Sequence, residues 1–382
     1  MQSAHFARSG SLSELFKGFR EVRIFDEHDL GFTAVIAVHD TTLGPALGGC
    51  RRKAYDSFWE ACVDVSRLAR GMTYKAAMTD YYKGGIPLGG GKAVMIPRKT
   101  AKRLRNAQFQ AMGAFIDSLG GTYISAEDVG TTVADVHEMA KYTKHVTGEM
   151  VGHPYGGDPS PYTALGVLAG MQGAWHAVSG SNDLSGRTVY VEGIGKVGFA
   201  LLELLRERGA RLYVSNRTST DAERSAIQKA RSLGARIVEL DSDGRPLVFP
   251  AVEIYAPCAL GGVVSPDAIA TYPDTLRLIA GAANNVLLDP ARDGTALRAK
   301  GITYAPDYVI NNRGLWDVYH QVMHNKSGAP YSESAVRAGC AENEDLLYEI
   351  IMRAQKDGAC PHAIADRMAE GVINKKKIIT HT

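Results

Sequence analysis

Cysteine, net charge and long apolar runs are all scarce in this sequence of 382 residues. The five cysteines lie far apart, without a CxxC pair or paired histidines, so the sequence predicts neither a disulfide framework nor a zinc site. A net charge of +2 gives no sign of a nucleic-acid or membrane surface. No apolar run reaches the roughly 18 residues of a membrane span, and the N-terminus lacks a signal-peptide core. We therefore expect a cytoplasmic protein that uses no metal, nucleic acid or membrane as a partner.

The composition and the length together predict a globular protein of two domains. Hydrophobic residues make up 45% of the chain and charged residues 22%, which is typical of a soluble fold. A chain of 382 residues is too long for one ordinary core, so two domains are expected.

The first part of the chain begins with a predicted hairpin and a long helix. Residues 21–39 alternate and carry β-branched side chains, which predicts two strands that turn near Leu30-Gly31. Residues 57–78 have apolar positions close to helical spacing, and they predict a helix that leads to Lys75.

A second helix and a loop with an aspartate follow. Residues 105–121 read as a helix closed by a glycine pair, which suits a left-handed cap. The stretch over 122–140 reads as strand, loop and helix, with Asp128 in the loop. Thr131 or Thr132 is the predicted N-cap of that helix.

A linker and a nucleotide-binding pattern occupy the middle of the chain. Glycine and proline are dense over residues 152–163, which predicts a linker and turn before a helix from Tyr162 to about residue 178. The segment "RTVYVEGIGKVGFALLELLRERGARLYVSNR" then reads as strand, tight turn, helix and strand.

Gly193, Gly195 and Gly198 form G-x-G-x-x-G between the first strand and the helix of this segment. The first glycine permits the tight turn, the second lets backbone approach a pyrophosphate, and the third lets helix and strand pack closely. The helix N-terminus offers unpaired N–H groups to the phosphates. The alternative, that these are only turn glycines, is weakened by the strand and the helix on either side. Further short strands complete a predicted doubly wound sheet, at "RIVEL", "VEIYAP", "LRLIAGAAN" and "ITYAPDYVIN".

The chain resembles the glutamate, leucine, phenylalanine and valine dehydrogenases, and most closely their leucine, phenylalanine and tryptophan branch. The resemblance covers most of the chain in the family's order, and it rests on these stretches: "TTLGPALGGCR", "GMTYKAA", "GGGKAV", "AEDVGTT", "GDPSPYTALGV", "VEGIGKVG", "APCALGG", "GAANN" and "APDYVIN". It implies an α/β fold with a substrate-binding domain over residues 1–150 and a Rossmann-type dinucleotide-binding domain over 151–335. It also implies that C-terminal helices over 336–382 pack back on the first domain.

The resemblance implies reversible oxidative deamination of an amino acid to its 2-oxo acid and ammonia. This reaction needs a site for the carboxylate, a base near the amine and a hydride acceptor. Lys75 resembles the family's carboxylate-binding lysine, Lys92 its acid/base lysine, and Asp128 its proton-relaying aspartate. The alternative for each of the three is a solvated surface charge.

Other positions match residues that bind substrate in the family. Gly48, Gly49 and Asn311 resemble residues beside the substrate carboxylate, with a turn as the alternative for each. Leu47 stands where relatives that take glutamate carry a lysine, so an apolar or aromatic substrate side chain is expected. Further apolar contacts are expected from Leu315, Trp316 and Val318.

The cofactor site includes several matches and one departure. Thr163 and Asn284 resemble residues around the nicotinamide and its ribose, and the glycine loop adds Lys196 and Val197. Asn216 stands where NAD-preferring relatives have an acidic residue, and Arg217 follows it. An absent carboxylate removes repulsion of a 2′-phosphate, and a guanidinium can bind that phosphate. We therefore expect NADP to bind in preference to NAD. The alternative is that Arg217 points to solvent and NAD binds as well.

Two further departures leave the substrate open. Lys75 and Lys92 are 17 positions apart, a longer spacing than the family leads us to expect, with the surplus over residues 79–85. We interpret the surplus as a longer turn that leaves both lysines in the site; the alternative is a surface loop of no consequence. Arg313 replaces a glycine of the family, and it lies either near substrate or cofactor or in solvent.

The expected partners are a small-molecule substrate and further copies of the chain, because the resemblance implies a homo-oligomer. Two other functions remain open. One is an oxidoreductase of the same scaffold recruited to another amine or imine, and the other is a catalytically silent dinucleotide-binding regulator. Intact Lys75, Lys92 and Asp128 count against the second.

Overall fold

A computed structural model describes residues 11–98, 104–148, 157–328 and 330–381. Most of the N-terminal segment without a signal-peptide core, and residues 152–156 of the expected linker, lie outside these ranges. The chain divides into two compact units. The first unit contains Met1–Asp158, Val318–Tyr331 and Ala369–Thr382, and the second contains Pro159–Asp317 and Ser332–Met368.

The first unit is built on a five-stranded mixed sheet with strand order β1-β2-β4-β3-β5. The β1–β2 and β2–β4 pairs are antiparallel, and β3 runs parallel to both β4 and β5. Gly31, with a φ of 69°, lies in the turn between β1 and β2, so the predicted hairpin is confirmed. The elements are α1 (Leu12–Leu15), β1 (Glu21–Glu27), β2 (Phe32–Asp40), β3 (Ala46–Arg52), α2 (Phe58–Met78), β4 (Gly89–Pro97), α3 (Arg105–Asp117), β5 (Tyr123–Ala126) and α4 (Val133–Ala140).

The two faces of this sheet are covered by different helices. Val35, Ala37 and Val94 pack against buried side chains of α2, whereas their strand neighbours belong to the cluster that contains α3. Lys92 pairs with Ala37 across β2 and β4. Because paired residues point to the same side of a sheet, the side chain of Lys92 starts on the face that α2 covers.

The second unit is built on a six-stranded parallel sheet with strand order β11-β10-β9-β6-β7-β8. This order, with helices between successive strands, confirms the predicted doubly wound sheet. The elements are α5 (Ser160–Ser179), β6 (Thr188–Glu192), α6 (Lys196–Glu207), β7 (Arg211–Ser215), α7 (Asp221–Ser232), β8 (Arg236–Ile237), β9 (Ile254–Pro257), α8 (Pro266–Thr271), β10 (Leu278–Ile279), α9 (Pro290–Ala299), β11 (Thr303–Tyr304), α10 (Asp307–Ile310), α11 (Arg313–Ser327), α12 (Glu333–Ala341), α13 (Asn343–Asp357) and α14 (Pro361–His381).

The last predicted strand, over 302–311, is shorter than expected. Only Thr303–Tyr304 pairs with β10, and the chain then turns into α10, which Asn311 caps at its C-terminal end. The continuous apolar pattern of this stretch fits a buried helix as well as a buried strand, and periodicity cannot separate the two over so few residues.

Residues 336–382 divide between the two units, whereas all of them were expected to pack on the first domain. Helices α12 and α13 belong to the second unit, where both pack on α5. A β-carbon at Gly173 of α5 would overlap the Glu344 carbonyl of α13, so the two helices touch at their backbones. Helix α5 has apolar residues around most of its circumference, and it needs this cover because the sheet buries only one side. Only Ala369–Thr382 joins the first unit.

In the described ranges, no helix is both long and apolar enough to cross a bilayer. The same ranges contain no group of three or more His, Cys, Asp and Glu side chains that could hold a metal ion.

Candidate functional site

Lys92 and Asp128 form a buried ion pair in the first unit. Lys92 lies on β4 with 6% of its surface exposed, and its Nζ is 3.1 Å from Oδ2 of Asp128, which follows β5. Gly49 of β3 makes the approach possible, because a β-carbon there would lie only 2.7 Å from that of Asp128. The structure thus joins the two residues that the sequence assigns to proton transfer.

Arg51 completes this charge cluster, although the sequence analysis gave it no role. Its Nε donates to Oδ2 of Asp128 at 2.9 Å, and its Nη1 donates to Asp64 of α2, also at 2.9 Å. A signal for Arg51 was present in the sequence: it closes the "TTLGPALGGCR" stretch and lies two positions after Gly49. That spacing places both residues on one side of a strand.

The electrostatics of Asp128 favour the ionised carboxylate. Burial acts to raise its pKa, and the charges of Lys92 and Arg51 outweigh burial, so the pKa lies below its usual value of 3.8. Nearby opposite charges have this effect because they stabilise the anion more than desolvation destabilises it. Asp128 is therefore an anion at neutral pH.

The predicted substrate residues of β3 divide between the two faces of the sheet. Leu47 pairs with Gly90 and is 3% exposed, and it lies on the same face as Lys92. Gly48 points to the other face, where the Tyr123 hydroxyl donates to its carbonyl at 2.5 Å. A β-carbon at Gly48 would overlap the Gly91 carbonyl, so close packing of β3 on β4 explains this glycine.

Lys75 lies in the last turn of α2 and is half-buried. The helix approaches β4 closely near this lysine, because a β-carbon at Gly90 would overlap the backbone nitrogen of Thr73. Lys75 thus belongs to the helix that covers the Lys92 face of the sheet.

The surplus residues between the two lysines form a compact turn. They contain a 3₁₀ turn over Tyr81–Lys83, entered through Asp80 with a φ of 55° and left through Gly84 with a φ of 92°. The surplus thus forms a turn between α2 and β4, and the interpretation that it leaves both lysines in one site stays a prediction.

The glycine loop of the second unit has the geometry that a dinucleotide requires. Gly193 has a φ of 86°, which favours glycine. A β-carbon at Gly198 would overlap the Gly193 carbonyl, so α6 packs directly on the loop. A β-carbon at Gly195 would have no atom within 4 Å, which leaves open space at the N-cap of α6. These residues fit the pyrophosphate of a dinucleotide, with Lys196 and Val197 in the first turn of the helix.

A cavity of about 630 Å³ opens beside this loop. Asn216 and Arg217 line it directly after β7, and Gly244 lines it from the loop after β8. The Asn216 Oδ1 accepts a hydrogen bond from the Ile194 N–H at 3.3 Å. The Arg217 side chain is exposed but lies against the loop, since a β-carbon at Gly244 would be 3.5 Å from its Nε.

A half-buried carboxyl in the same cavity was missed by the sequence analysis. Glu192, the residue before the glycine loop, lines the cavity and accepts a hydrogen bond from the Tyr255 hydroxyl. Burial raises its pKa above the usual 4.5. No sequence signal distinguishes this side chain from an ordinary strand end, because its burial depends on the aromatic residues of β9 and the following loops.

Asn311, predicted beside the substrate carboxylate, and Asn284 and Thr163, predicted beside the nicotinamide and its ribose, all lie in the second unit. The Asn311 Nδ2 donates to the Ala282 carbonyl at 2.9 Å and to Oδ1 of Asn284 at 2.8 Å. The buried Oδ1 of Asn311 has no partner in the described part of the chain, so its available atom is an acceptor. Thr163 lies in the first turn of α5, where its hydroxyl donates to the Pro159 carbonyl at 3.0 Å and lies beside Gly314.

Arg313 is buried. It is 1% exposed at the start of α11, so the alternative of an arginine in solvent is wrong. Its Nε donates to Oδ1 of Asn343 at 2.8 Å, and its Nη2 is 3.4 Å from Glu342. Gly166 of α5 leaves the room for its side chain. Arg313 therefore joins three helices of the second unit.

The expected apolar contacts are buried side chains of the same segment. The exposed fractions are 6% for Leu315, 9% for Trp316 and 8% for Val318. A β-carbon at Gly339 of α12 would overlap the Trp316 ring, so the tryptophan packs on that helix. Trp316 is thereby accounted for by packing within the second unit.

A parallel doubly wound sheet with an open glycine loop, accompanied by a unit that holds a buried lysine–aspartate pair, defines a dinucleotide-dependent oxidoreductase. Two family models match the chain: "Glu/Leu/Phe/Val dehydrogenase, dimerisation domain" over residues 19–145, and "Glutamate/Leucine/Phenylalanine/Valine dehydrogenase" over residues 158–376. The chain belongs to this family of amino acid dehydrogenases, whose members are NAD(P)-dependent.

Individual relatives share both sequence and fold with the chain. A leucine dehydrogenase from Geobacillus stearothermophilus is 40% identical, over 94% of this chain and 92% of the relative. A phenylalanine dehydrogenase from Bacillus thermotolerans is 36% identical, over 94% and 90%. The crystal structure of L-tryptophan dehydrogenase from Nostoc punctiforme superimposes with a TM-score of 0.74 at 35% identity, over 96% of this chain and 98% of that one. The resemblance stated from the sequence is thus confirmed.

Proposed function

We propose that the protein catalyses the reversible oxidative deamination of apolar or aromatic L-amino acids, with NADP favoured over NAD. The observation that carries this proposal is the buried Lys92–Asp128 pair, 3.1 Å between Nζ and Oδ2, on the same face of the sheet as Leu47. A titratable pair at this depth suits proton transfer to and from an amine.

The roles of the charged residues follow from the chemistry of the substrate. An amino acid brings a carboxylate, which the proposal assigns to Lys75, and an ammonium group, which needs an anion beside it. Asp128 supplies that anion, and Lys92 takes up or returns the proton as the amine becomes a carbonyl and water adds. With its pyrophosphate at the glycine loop, the dinucleotide would supply the acceptor for the hydride.

Substrate selectivity is assigned to the buried Leu47. A second carboxylate on the substrate would meet an apolar side chain there and lose its hydration without gaining a partner. Leu315 and Val318 are proposed as further contacts of the substrate side chain. Gly48 and Gly49 are proposed beside the substrate carboxylate. Asn311, whose unpaired atom is an acceptor, would accept an N–H rather than donate to that carboxylate.

The proposed preference for NADP is supported by Arg217 but opposed by Glu192. Asn216 carries no charge, and the guanidinium of Arg217 lines the cavity, so both favour a 2′-phosphate. An ionised Glu192 in the same cavity would repel that phosphate. Thr163 and Asn284 are proposed beside the nicotinamide and its ribose with either cofactor.

We further propose that the protein is a cytoplasmic homo-oligomer. The first unit supports the oligomer because it matches the family's dimerisation domain.

A panel of 2-oxo acids tests the proposed reaction. Reduction with ammonia, followed by the loss of nicotinamide absorbance with each cofactor, should be rapid for branched aliphatic and aromatic acids. It should be slow for 2-oxoglutarate. A single misplaced methylene should cost only about 1–3 kcal/mol, so several apolar acids should react. A strong preference for 2-oxoglutarate would contradict the assignment of Leu47. Silence toward every acid would favour an unusual amine or imine as the substrate.

Two variants show whether the lysines have the proposed roles. Lys92→Ala should lower kcat by about 10²-fold or more, because it removes the acid/base. Lys75→Ala should mainly raise KM for the 2-oxo acid. Cofactor affinity, measured by fluorescence titration, should stay near that of the wild type in both variants. Normal turnover by Lys92→Ala, or an unchanged KM for Lys75→Ala, would contradict the corresponding role.

A further inference from the structure

A hydrogen-bonded network of five polar side chains extends from Tyr55, in the loop after β3, to Lys92. The Tyr55 hydroxyl donates to Oδ2 of Asp64 at 2.6 Å, and Asp64 accepts from Arg51 Nη1 at 2.9 Å. Arg51 Nε donates to Oδ2 of Asp128 at 2.9 Å, and that same oxygen is 3.1 Å from Lys92 Nζ. Arg51 and Lys92 thus contact the same carboxylate oxygen of Asp128, and the carboxylate of Asp64 binds the other side of the Arg51 guanidinium.

The donor and acceptor roles in this network are fixed by the charge of each group. Asp64 lies on α2 and Arg51 on β3, so the arginine bridges the helix and the sheet that enclose Lys92. Burial and the Asp64 charge raise the pKa of Tyr55, so its hydroxyl remains a donor. Burial opposes the charge on Arg51, but Asp128 and Asp64 outweigh it and raise the pKa of the guanidinium. Arg51 is therefore a permanent cation in this site.

The permanent charge of Arg51 is important because Lys92 must lose its proton during the proposed reaction. When Lys92 is neutral, Asp128 loses one of its two cations, and a buried carboxylate without a cation tends to take up a proton. Arg51 remains in contact with the carboxylate throughout. Cys50, Tyr55 and Tyr123 also interact electrostatically with Asp128, but they cannot replace Arg51, because burial raises the pKa of each and leaves it uncharged.

We propose that Arg51, held by Asp64 and Tyr55, is a positioning residue that keeps Asp128 ionised and directed at Lys92 through turnover. Arg51 acts through Asp128 and does not contact the substrate. This inference rests on the proposed function and deepens it, because it assigns control of the proton-transfer pair to a third residue.

Two substitutions at one position separate charge from bulk. Arg51→Met keeps the buried stem but removes the cation, so the acid limb of the kcat/KM pH profile should move up by about one to three pH units. Arg51→Lys keeps a cation but cannot contact both carboxylates, so the acid limb should stay near that of the wild type while kcat falls. An acid limb that does not move in Arg51→Met would overturn the proposal.

Variants elsewhere control for a merely structural effect. Arg105 and Asp135 form another ion pair with a buried carboxylate in the first unit, so Arg105→Lys should lower stability without moving the acid limb. Tyr55→Phe keeps the ring but loosens Asp64, and it should lower kcat while KM for the 2-oxo acid changes little. If Arg105→Lys moves the limb as far as Arg51→Met, Arg51 has no particular role and the proposal fails.

A measurement without turnover distinguishes failure of this inference from failure of the proposed function. Urea unfolding of Asp128→Asn, with and without Arg51→Met, gives the stability contributed by the Asp128 charge as a function of pH. Because the folded pKa of Asp128 is depressed, this contribution is present above about pH 4 and is lost as the pH falls further. In the Arg51→Met background the contribution above pH 4 should be smaller or change sign, because the folded pKa of Asp128 moves up toward or past its unfolded value. If the contribution has the same size in both backgrounds, the inference is wrong whatever the panel of 2-oxo acids shows. A reduced contribution in a protein that is silent on the panel would refute only the proposed reaction.

Discussion

Asn216, Arg217 and Glu192 line one cavity, but they have opposite effects on a 2′-phosphate of the cofactor. Asn216 and Arg217 favour this phosphate, whereas an ionised Glu192 would repel it. A guanidinium bound to the 2′-phosphate contributes about 1.5–3 kcal/mol, roughly ten- to a hundredfold in affinity. An ionised carboxyl nearby reduces that gain. The balance is therefore decided by two side chains that can be changed separately.

We expect Arg217→Ala to weaken NADP binding by about tenfold or more while NAD binding changes little. Glu192→Gln should tighten NADP, because it removes a negative charge and keeps a group that Tyr255 can bond. Asn216→Asp should shift preference toward NAD. Titration of each purified variant with both cofactors measures these changes. Tighter binding of NAD by the wild type, with no response of either affinity to Arg217→Ala, would show that Arg217 takes no part.

Residues whose roles depend on distant partners were the ones that the sequence did not reveal. Lys92 and Asp128 stood in recognisable stretches, but Arg51 acquires its role from Asp128, 77 positions away. Arg313 shows a related limit: the sequence left it either beside a ligand or in solvent, and the structure buries it as a link between helices. Local pattern cannot separate these cases, because both depend on which helix covers which face.

At the scale of elements, the glycine loop separates folding from binding. Gly195 has a φ of −69°, which alanine adopts without strain, and open space in front of it. Gly198 faces the Gly193 carbonyl directly. The same substitution should therefore have different results at the two positions.

We expect Gly195→Ala to leave the free energy of unfolding near that of the wild type and to weaken dinucleotide binding by about tenfold or more, because the methyl group occupies the space of the pyrophosphate. Gly198→Ala should lower stability by about 1–3 kcal/mol, since α6 must move away from the loop. Chemical denaturation and cofactor titration measure the two effects. Full cofactor affinity in Gly195→Ala would place the pyrophosphate elsewhere.

Helix α2, which has a clear apolar period, was predicted well, and α3 and α5 were predicted close to their observed bounds. The short strands of the second unit were predicted in place but not in length, because only two residues of β8, β10 and β11 pair with a neighbour. The packing of α12 and α13 on α5 could not be read from periodicity, which shows that a helix has an apolar face but not what covers it.

At the scale of the whole molecule, each unit encloses its own hydrophobic core. One core contains Met112 between the first sheet and α3, and another lies between the second sheet and its helices. A protein with two such cores need not unfold in one step. The proposed dinucleotide site lies in the second unit, so ligand binding should stabilise that unit in particular.

We expect calorimetry to resolve two transitions, of which NADPH shifts one by the equivalent of about 2.7 kcal/mol at a hundredfold excess over Kd. Met112→Ala should lower the other transition, because a cavity in that core costs about 2–5 kcal/mol. Gly195→Ala should remove most of the NADPH-dependent shift. A single transition that moves as a whole with either change would mean that the units unfold together.

The turn at Tyr81–Lys83 lengthens the sequence between Lys75 and Lys92 without setting where either lysine lies. Lys75 and Lys92 owe their positions to α2 and β4, which Gly90 and Thr73 lock together before and after the turn. A short insertion in this turn should therefore leave the positions of α2 and β4 unchanged, so the turn is a candidate site for adding a sensor peptide or a purification epitope.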